Sequence, residues 1–203
     1  MPFFTATVMA VSLAVFFLPW VSAVLLYERQ AVLGGEIWRL LTSHAVHFSL
    51  NHLCYNLLVF GVAGWLVERR SRADLIVLFM LSSVFIGVYL LVFQPDMGFY
   101  GGLSGIAVAS VVYASIEGVR RRGRLGWLYI CVLILTALKL AFELSKGDAI
   151  FVSFGDVRIA HVPGAHVLGA MAATGLYLWR LVLGEGPERR GLRKEPPLKV
   201  QSP

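Results

Sequence analysis

The sequence predicts an all-α membrane protein, a bundle of six transmembrane helices with both termini cytoplasmic, and three observations carry that prediction. The 203 residues are 58% hydrophobic and 15% charged, with a mean hydropathy of +0.74, whereas soluble domains carry roughly 25% charged residues. Apolar runs approaching the ~20 residues that cross a ~30 Å hydrocarbon core recur at 3–27, 50–67, 74–93, 102–116, 125–145 and 163–183. The 18 Lys and Arg are distributed unevenly between the connections. Arg69, Arg70 and Arg72 follow the second run, Arg120, Arg121, Arg122 and Arg124 follow the fourth, and Arg180 to Lys199 close the chain. The alternate connections hold only Arg29, Arg39, Lys146 and Arg158. By the positive-inside rule the richer side is cytoplasmic, so the net charge of +6 reports topology rather than a nucleic-acid partner.

Taken in order, the first run begins at Phe3 without a preceding basic stretch or a small-residue cleavage site, and reads as a retained helix rather than a signal peptide. Pro19 and Trp20 mark a kink and an interface within it. The second run carries His52 and Asn56, and the third is almost wholly apolar. The fourth, Gly102 to Ile116, rises only about 22 Å at ~1.5 Å per residue. It is too short to cross unaided, so the loop before it must dip into the membrane. Irregular backbone survives at that depth only against protein or a water-filled cavity, which implies a wet pocket open to the outside with Ser104 at its floor. The fifth run contains Lys139 and the sixth His166. Residues 1–183 thus form one membrane domain, and 184–203, "GEGPERRGLRKEPPLKVQSP", reads as a basic disordered cytoplasmic tail. Cys54 and Cys131 fall in separate runs and read as packing residues, with no disulfide framework or metal spacing.

Counting helical residues from the cytoplasmic ends brings four polar side chains to one depth. Ser104 precedes Glu117 by about 20 Å and His166 precedes Arg180 by about 21 Å, while Asn56 and His52 lie about 18 and 24 Å from Glu68. Small residues at every fourth position, Gly101, Gly105 and Ala109 on the fourth run and Ala165, Gly169 and Ala173 on the sixth, allow two helices to approach closely. Close packing there would bring Ser104 and His166 together.

A serine hydroxyl becomes a nucleophile when a neutral histidine takes its proton, and the tetrahedral intermediate needs donors for its oxyanion. His52 and Asn56, four residues apart on one helix face, both carry N–H donors. No acidic residue is expected beside His166, since Asp148 and Asp156 belong to the outer loop, so the pattern reads as a Ser–His dyad requiring no cofactor or metal. Blander readings exist. A membrane serine commonly bonds to its own helix, and single His and Asn residues bridge neighbouring helices. Lys139, at about 21 Å, permits a Ser–Lys dyad, although pairing with Glu143 one turn on or snorkelling accounts for it more simply. A zinc site drawn from His44, His47, His52, His161 and His166 lacks metal-ligand spacing.

Three motifs, "HFSLNHLCYN" (47–56), "GGLSG" (101–105) and "GAHVLGA" (164–170), resemble the signatures of the rhomboid intramembrane serine proteases, in that family's order and on matching helices. "GEIWRLLTS" (35–43) resembles the Trp-Arg segment of its first external loop. The resemblance spans roughly residues 10–183 and implies a rhomboid-like six-helix bundle in which Ser104 is the nucleophile and His166 the general base. His52, Asn56 and the backbone N–H of Ser104 would form the oxyanion hole, with Gly102 letting the chain pass close to it. It further implies cleavage of a partner's transmembrane segment near the outer face. Val108 stands where many rhomboids place a Tyr beneath the histidine ring, which leaves the orientation of His166, and with it the rate, open. The short first external loop and "LKLAFELSKG" (138–147) are most similar to the rhombosortase group. That resemblance implies a bacterial inner-membrane enzyme opening to the periplasm, with single-span substrates bearing Gly-Gly C-terminal tails. The fold also hosts pseudoproteases that bind membrane helices without cutting them, and retention of Ser104 and His166 argues against that class. A small-solute transporter fits poorly without a visible inverted repeat.

Overall fold

In the computed structural model of the chain, residues 2–121, 123, 125–146 and 162–184 are described. The helices among them are α1 (Phe3–Phe16), α2 (Pro19–Leu25), α3 (Arg29–Leu33), α4 (Arg39–Thr42), α5 (Leu50–Glu68), α6 (Arg72–Phe93), α7 (Ser104–Arg120), α8 (Gly126–Lys146) and α9 (Pro163–Val182). A 3-10 turn, Ser43–Ala45, follows α4, and two short strands, β1 (Tyr27–Glu28) and β2 (Phe99–Tyr100), pair antiparallel with Tyr27 opposite Tyr100. The expected tail 184–203 and the outer-loop acids Asp148 and Asp156 lie outside the described residues, Gly184 excepted.

Each of the six apolar runs holds a helix of 14 residues or more. Among the described residues, α5, α6 and α8 are each long and apolar enough to cross a membrane. The first run carries the kink expected at Pro19, and the kink is sharp. The run breaks after Phe17, and α1 and α2 meet at 115°. Pro19 is the cause: it begins α2, lacks an amide hydrogen, and forces Leu18 into an extended conformation (φ −120°, ψ 80°). The orphan carbonyls at the end of α2 are then taken by the following segment. Arg39 Nη1 donates to Ala23 and Leu26 at 2.9 and 2.7 Å, and Thr42 Oγ1 donates to Leu25 at 2.9 Å. Glu36 holds the same guanidinium at 2.6 Å.

Serine caps start two of the long helices. Ser49 accepts from the His52 amide at 3.1 Å and Ser71 from the Asp74 amide at 3.2 Å, satisfying otherwise unpaired N–H groups of the first turn. Acidic side chains tie one end of the bundle. Glu68 accepts from the Phe4 and Thr5 amides and from Arg72, Arg70 reaches Glu117 at 3.2 Å, and Arg180 reaches Asp74 at 2.9 Å. Glu68, Glu117 and Arg180, the reference points for depth, are thus each tied to the connection between α5 and α6 or to the first turn of α6. The core is centred on α7, whose face from Gly105 to Gly118 is buried between α5, α6 and α9. α8 lies on the outside against α7 and α9, and Glu143 is its one buried residue among those described. Cys54 and Cys131 are exposed rather than packed, on outward faces of α5 and α8; a small apolar thiol costs nothing facing lipid.

Candidate active site

The loop before α7 is fastened to the 3-10 turn through both backbone groups of one residue, Gly102. The Gly102 amide donates to the Ser43 carbonyl at 3.1 Å, and His44 Nδ1 donates to the Gly102 carbonyl at 3.2 Å. Burial holds His44 neutral by lowering its pKa to about 4, and does the same to His47. Gly102 has φ +136°, a region that side chains avoid. A Cβ there would lie 2.7 Å from His52 Cε1 and 2.9 Å from Nε2, with Asn56 Nδ2 at 3.9 Å. His52 and Asn56, one turn apart on α5, thus converge on the bare backbone of Gly102. Asn56 is 1% exposed, and among the described residues neither of its amide atoms has a hydrogen-bond partner. A buried amide without partners is costly, which makes it suited to a visiting acceptor.

Ser104 opens α7, half-buried, with the Tyr100 phenol within electrostatic reach. Ser83 and Ser110 bond back to the carbonyls of Phe79 and Ile106 at 2.8 and 2.9 Å. Ser104 has no helical turn before it to bond to, so the bland reading of a self-bonded serine does not describe it. The small-residue ladders do meet. A Cβ on Gly105 would be 2.8 Å from the Ala165 carbonyl oxygen, and one on Gly169 would collide with the Gly105 carbonyl oxygen. α7 and α9 therefore touch backbone to backbone at Gly105 and Ala165, the immediate neighbours of Ser104 and His166.

His166 is buried, and here the expectation of no acid beside it is overturned. Its Nδ1 lies 2.8 Å from Glu143 Oε2. Rise alone puts Glu143 about 6 Å too far out, one turn beyond Lys139. Side chains, however, lean toward the N-terminus of their own helix. On α8, which runs outward from the end holding Glu117, that lean carries Glu143 inward; on α9, which runs the other way, it carries His166 outward, and the two meet. Lys139 pairs with Glu143 Oε1 at 2.6 Å, as its spacing suggests, and also stands 3.4 Å from His166 Nδ1. Among the described residues no three His, Cys, Asp or Glu side chains cluster as metal ligands, and His161 lies outside them.

The rhomboid domain model matches residues 34–182. The chain belongs to the rhomboid family. It is 35% identical over 97 residues to proteins named rhomboid protease GlpG in Salmonella newport (strain SL254) and Salmonella typhi. The matched stretch is 47% of this chain and 34% of each relative, so the chain spans about a third of the length of the curated relatives it matches. The Gly102 crossing and the α7–α9 contact both fall within the matched domain of this rhomboid. Sequence reasoning weighed His44 only for a zinc site and Glu143 only as the partner of Lys139, and gave neither its role there. Only the spacing Lys139-x-x-x-Glu143 signalled the second.

Proposed function

We propose that this rhomboid is an intramembrane serine endopeptidase that cleaves a transmembrane segment of partner proteins near the periplasmic face. The observation that carries the reading is the convergence of His52 and Asn56 on Gly102 beside the backbone contact of α7 with α9. In this reading His166 Nε2 takes the proton of Ser104 as Oγ attacks the scissile carbonyl. The oxyanion accepts from the side chains of His52 and Asn56 and from the Ser104 backbone N–H. Collapse breaks the peptide bond, His166 returns the proton to the leaving amine, and water hydrolyses the acyl-enzyme by the same sequence.

The Lys and Arg asymmetry supports cytoplasmic termini for a six-span chain and a periplasmic loop carrying Asp148 to Arg158, and the rhombosortase resemblance supports a bacterial inner membrane. Alkaline phosphatase fused at the C-terminus is expected to be inactive, and fused within 148–158 active. The opposite pattern would overturn the topology and the outward opening of the site.

The rhombosortase resemblance supports single-span substrates with Gly-Gly C-terminal tails. A helical peptide keeps its carbonyls bonded internally, so the substrate must unwind to be attacked, and each glycine lowers helix stability by about 1 kcal/mol relative to Ala. Co-expression of such a protein with the wild-type chain is expected to yield a new C-terminus at the outer helix boundary, located by mass spectrometry, and none with Ser104→Ala. Replacing the glycines by Leu is expected to suppress cleavage. Cleavage indifferent to the glycines would remove the tail specificity, and binding without cleavage by both forms would return the chain to a pseudoprotease.

A further inference from the structure

We propose that Glu143 is a positioning residue that sets the tautomer of His166, making the unit Ser104, His166 and Glu143 rather than a dyad; this rests on Ser104 and His166 acting as proposed above. A carboxylate at 1% exposure is costly in a membrane helix and calls for partners. On α8 it stands among outward side chains, with Phe142 and Leu144 on either side of it exposed. Nothing about the packing of α8 requires a charge at that point.

Proton accounting gives the role. A carboxylate only accepts, so the 2.8 Å contact with Glu143 Oε2 requires the hydrogen of His166 to sit on Nδ1. Nε2 is then left with its lone pair, the form that takes a proton from a serine. Lys139 Nζ also faces Nδ1, at 3.4 Å, and an ammonium only donates. Facing Lys139 alone, Nδ1 would accept, and the hydrogen would move to Nε2 and block the base. Glu143 prevents this twice over. Its Oε1 engages Lys139 at 2.6 Å and its Oε2 engages the ring. The Tyr55 phenol on α5 lies near the same carboxylate.

Glu143→Gln keeps the shape but leaves one acceptor for two donors. The ammonium takes the oxygen, the amide NH2 turns to Nδ1, and the tautomer inverts. Wild type against Ser104→Ala, on a transmembrane substrate in detergent, first establishes the protease itself; no cleavage by the wild type defeats that reading and leaves the tautomer to be read separately. Glu143→Gln is then expected to lower kcat by about 10²–10⁴, the upper figure being the loss for a wrong histidine tautomer in a soluble serine protease, with KM within about threefold. Lys139→Met is expected to stay within about threefold of wild type. The double variant Lys139→Met/Glu143→Gln, whose amide oxygen is free to accept from Nδ1, is expected to regain part of the loss. Nitrogen-15 NMR of labelled histidine is expected to show Nδ1–H at His166 in the wild type and Nε2–H in Glu143→Gln. An unchanged tautomer, or equal losses in Lys139→Met and Glu143→Gln, would make the cluster a structural ion pair and overturn the proposal. If Glu143→Gln does not fold, the wild-type nitrogen-15 spectrum decides alone: Nδ1–H at His166 supports the proposal and Nε2–H overturns it.

Discussion

Ser104→Ala and His166→Ala are each expected to abolish cleavage while leaving the protein folded and membrane-inserted. Nucleophile and base act as one unit, so removing either costs nearly as much as removing both. Neither side chain is needed to close the helix contact beside them, which is made by the backbones of Gly105 and Ala165. Purified variants should therefore melt in detergent near the wild-type temperature. His52→Ala and Asn56→Ala are expected to fall short of abolition, with losses of about 10²–10³, the scale for one oxyanion donor. Their double variant should lose more than either. Full activity in the double variant would remove the oxyanion hole, and an active His166→Ala beside a dead Lys139→Ala would replace the base.

Gly169→Val is expected to abolish activity by a different route, with loss of stability. The added Cβ would meet the Gly105 carbonyl oxygen, with the Gly105 carbon at 3.0 Å and the Ala109 amide at 3.4 Å. These are backbone atoms of α7 and cannot rotate away, so the helices must part. Overpacking commonly costs about 1–3 kcal/mol when side chains can adjust, and here they cannot. His166 lies three residues before Gly169 on the same face, so parting the helices withdraws it from Ser104. Gly175 on the same helix faces open space, and Gly175→Val is the control expected to retain activity. A Gly169→Val protein that melts and cleaves like wild type would show that the small-residue ladders do not hold the site together.

The long helices were legible because their signal, apolar length, is local. The meeting of α7 with α9 was legible because close approach demands small residues at a fixed spacing, and that spacing is written in the chain. Features depending on tertiary direction were not. The kink at Pro19 was legible, but its sharpness of 115° was not, because the end of α2 is held by Arg39 and Thr42, about 20 residues further on. The hold of His44 on Gly102 joins residues 58 apart. Glu143 was misplaced because depth counted along the axis ignores the opposite lean of side chains on antiparallel helices. Its contact with His166 is short only because both side chains lean into the same gap.

The broken first run also bears on the lipid around the protein. α1, with 14 residues, rises about 21 Å, whereas α6, with 22, rises about 33 Å. A hydrocarbon slab of one thickness, ~30 Å, fits the second and exceeds the first by roughly 9 Å. Mismatch of this kind costs fractions of a kcal/mol per ångström and, where the span is too short, is relieved by thinning the bilayer. With α2 turned aside, Trp20 and Phe17 are exposed at the corner where the short wall ends. With α1 spanning the bilayer as proposed, acyl chains there are expected to splay or shorten, making the membrane thinnest along that edge of the bundle.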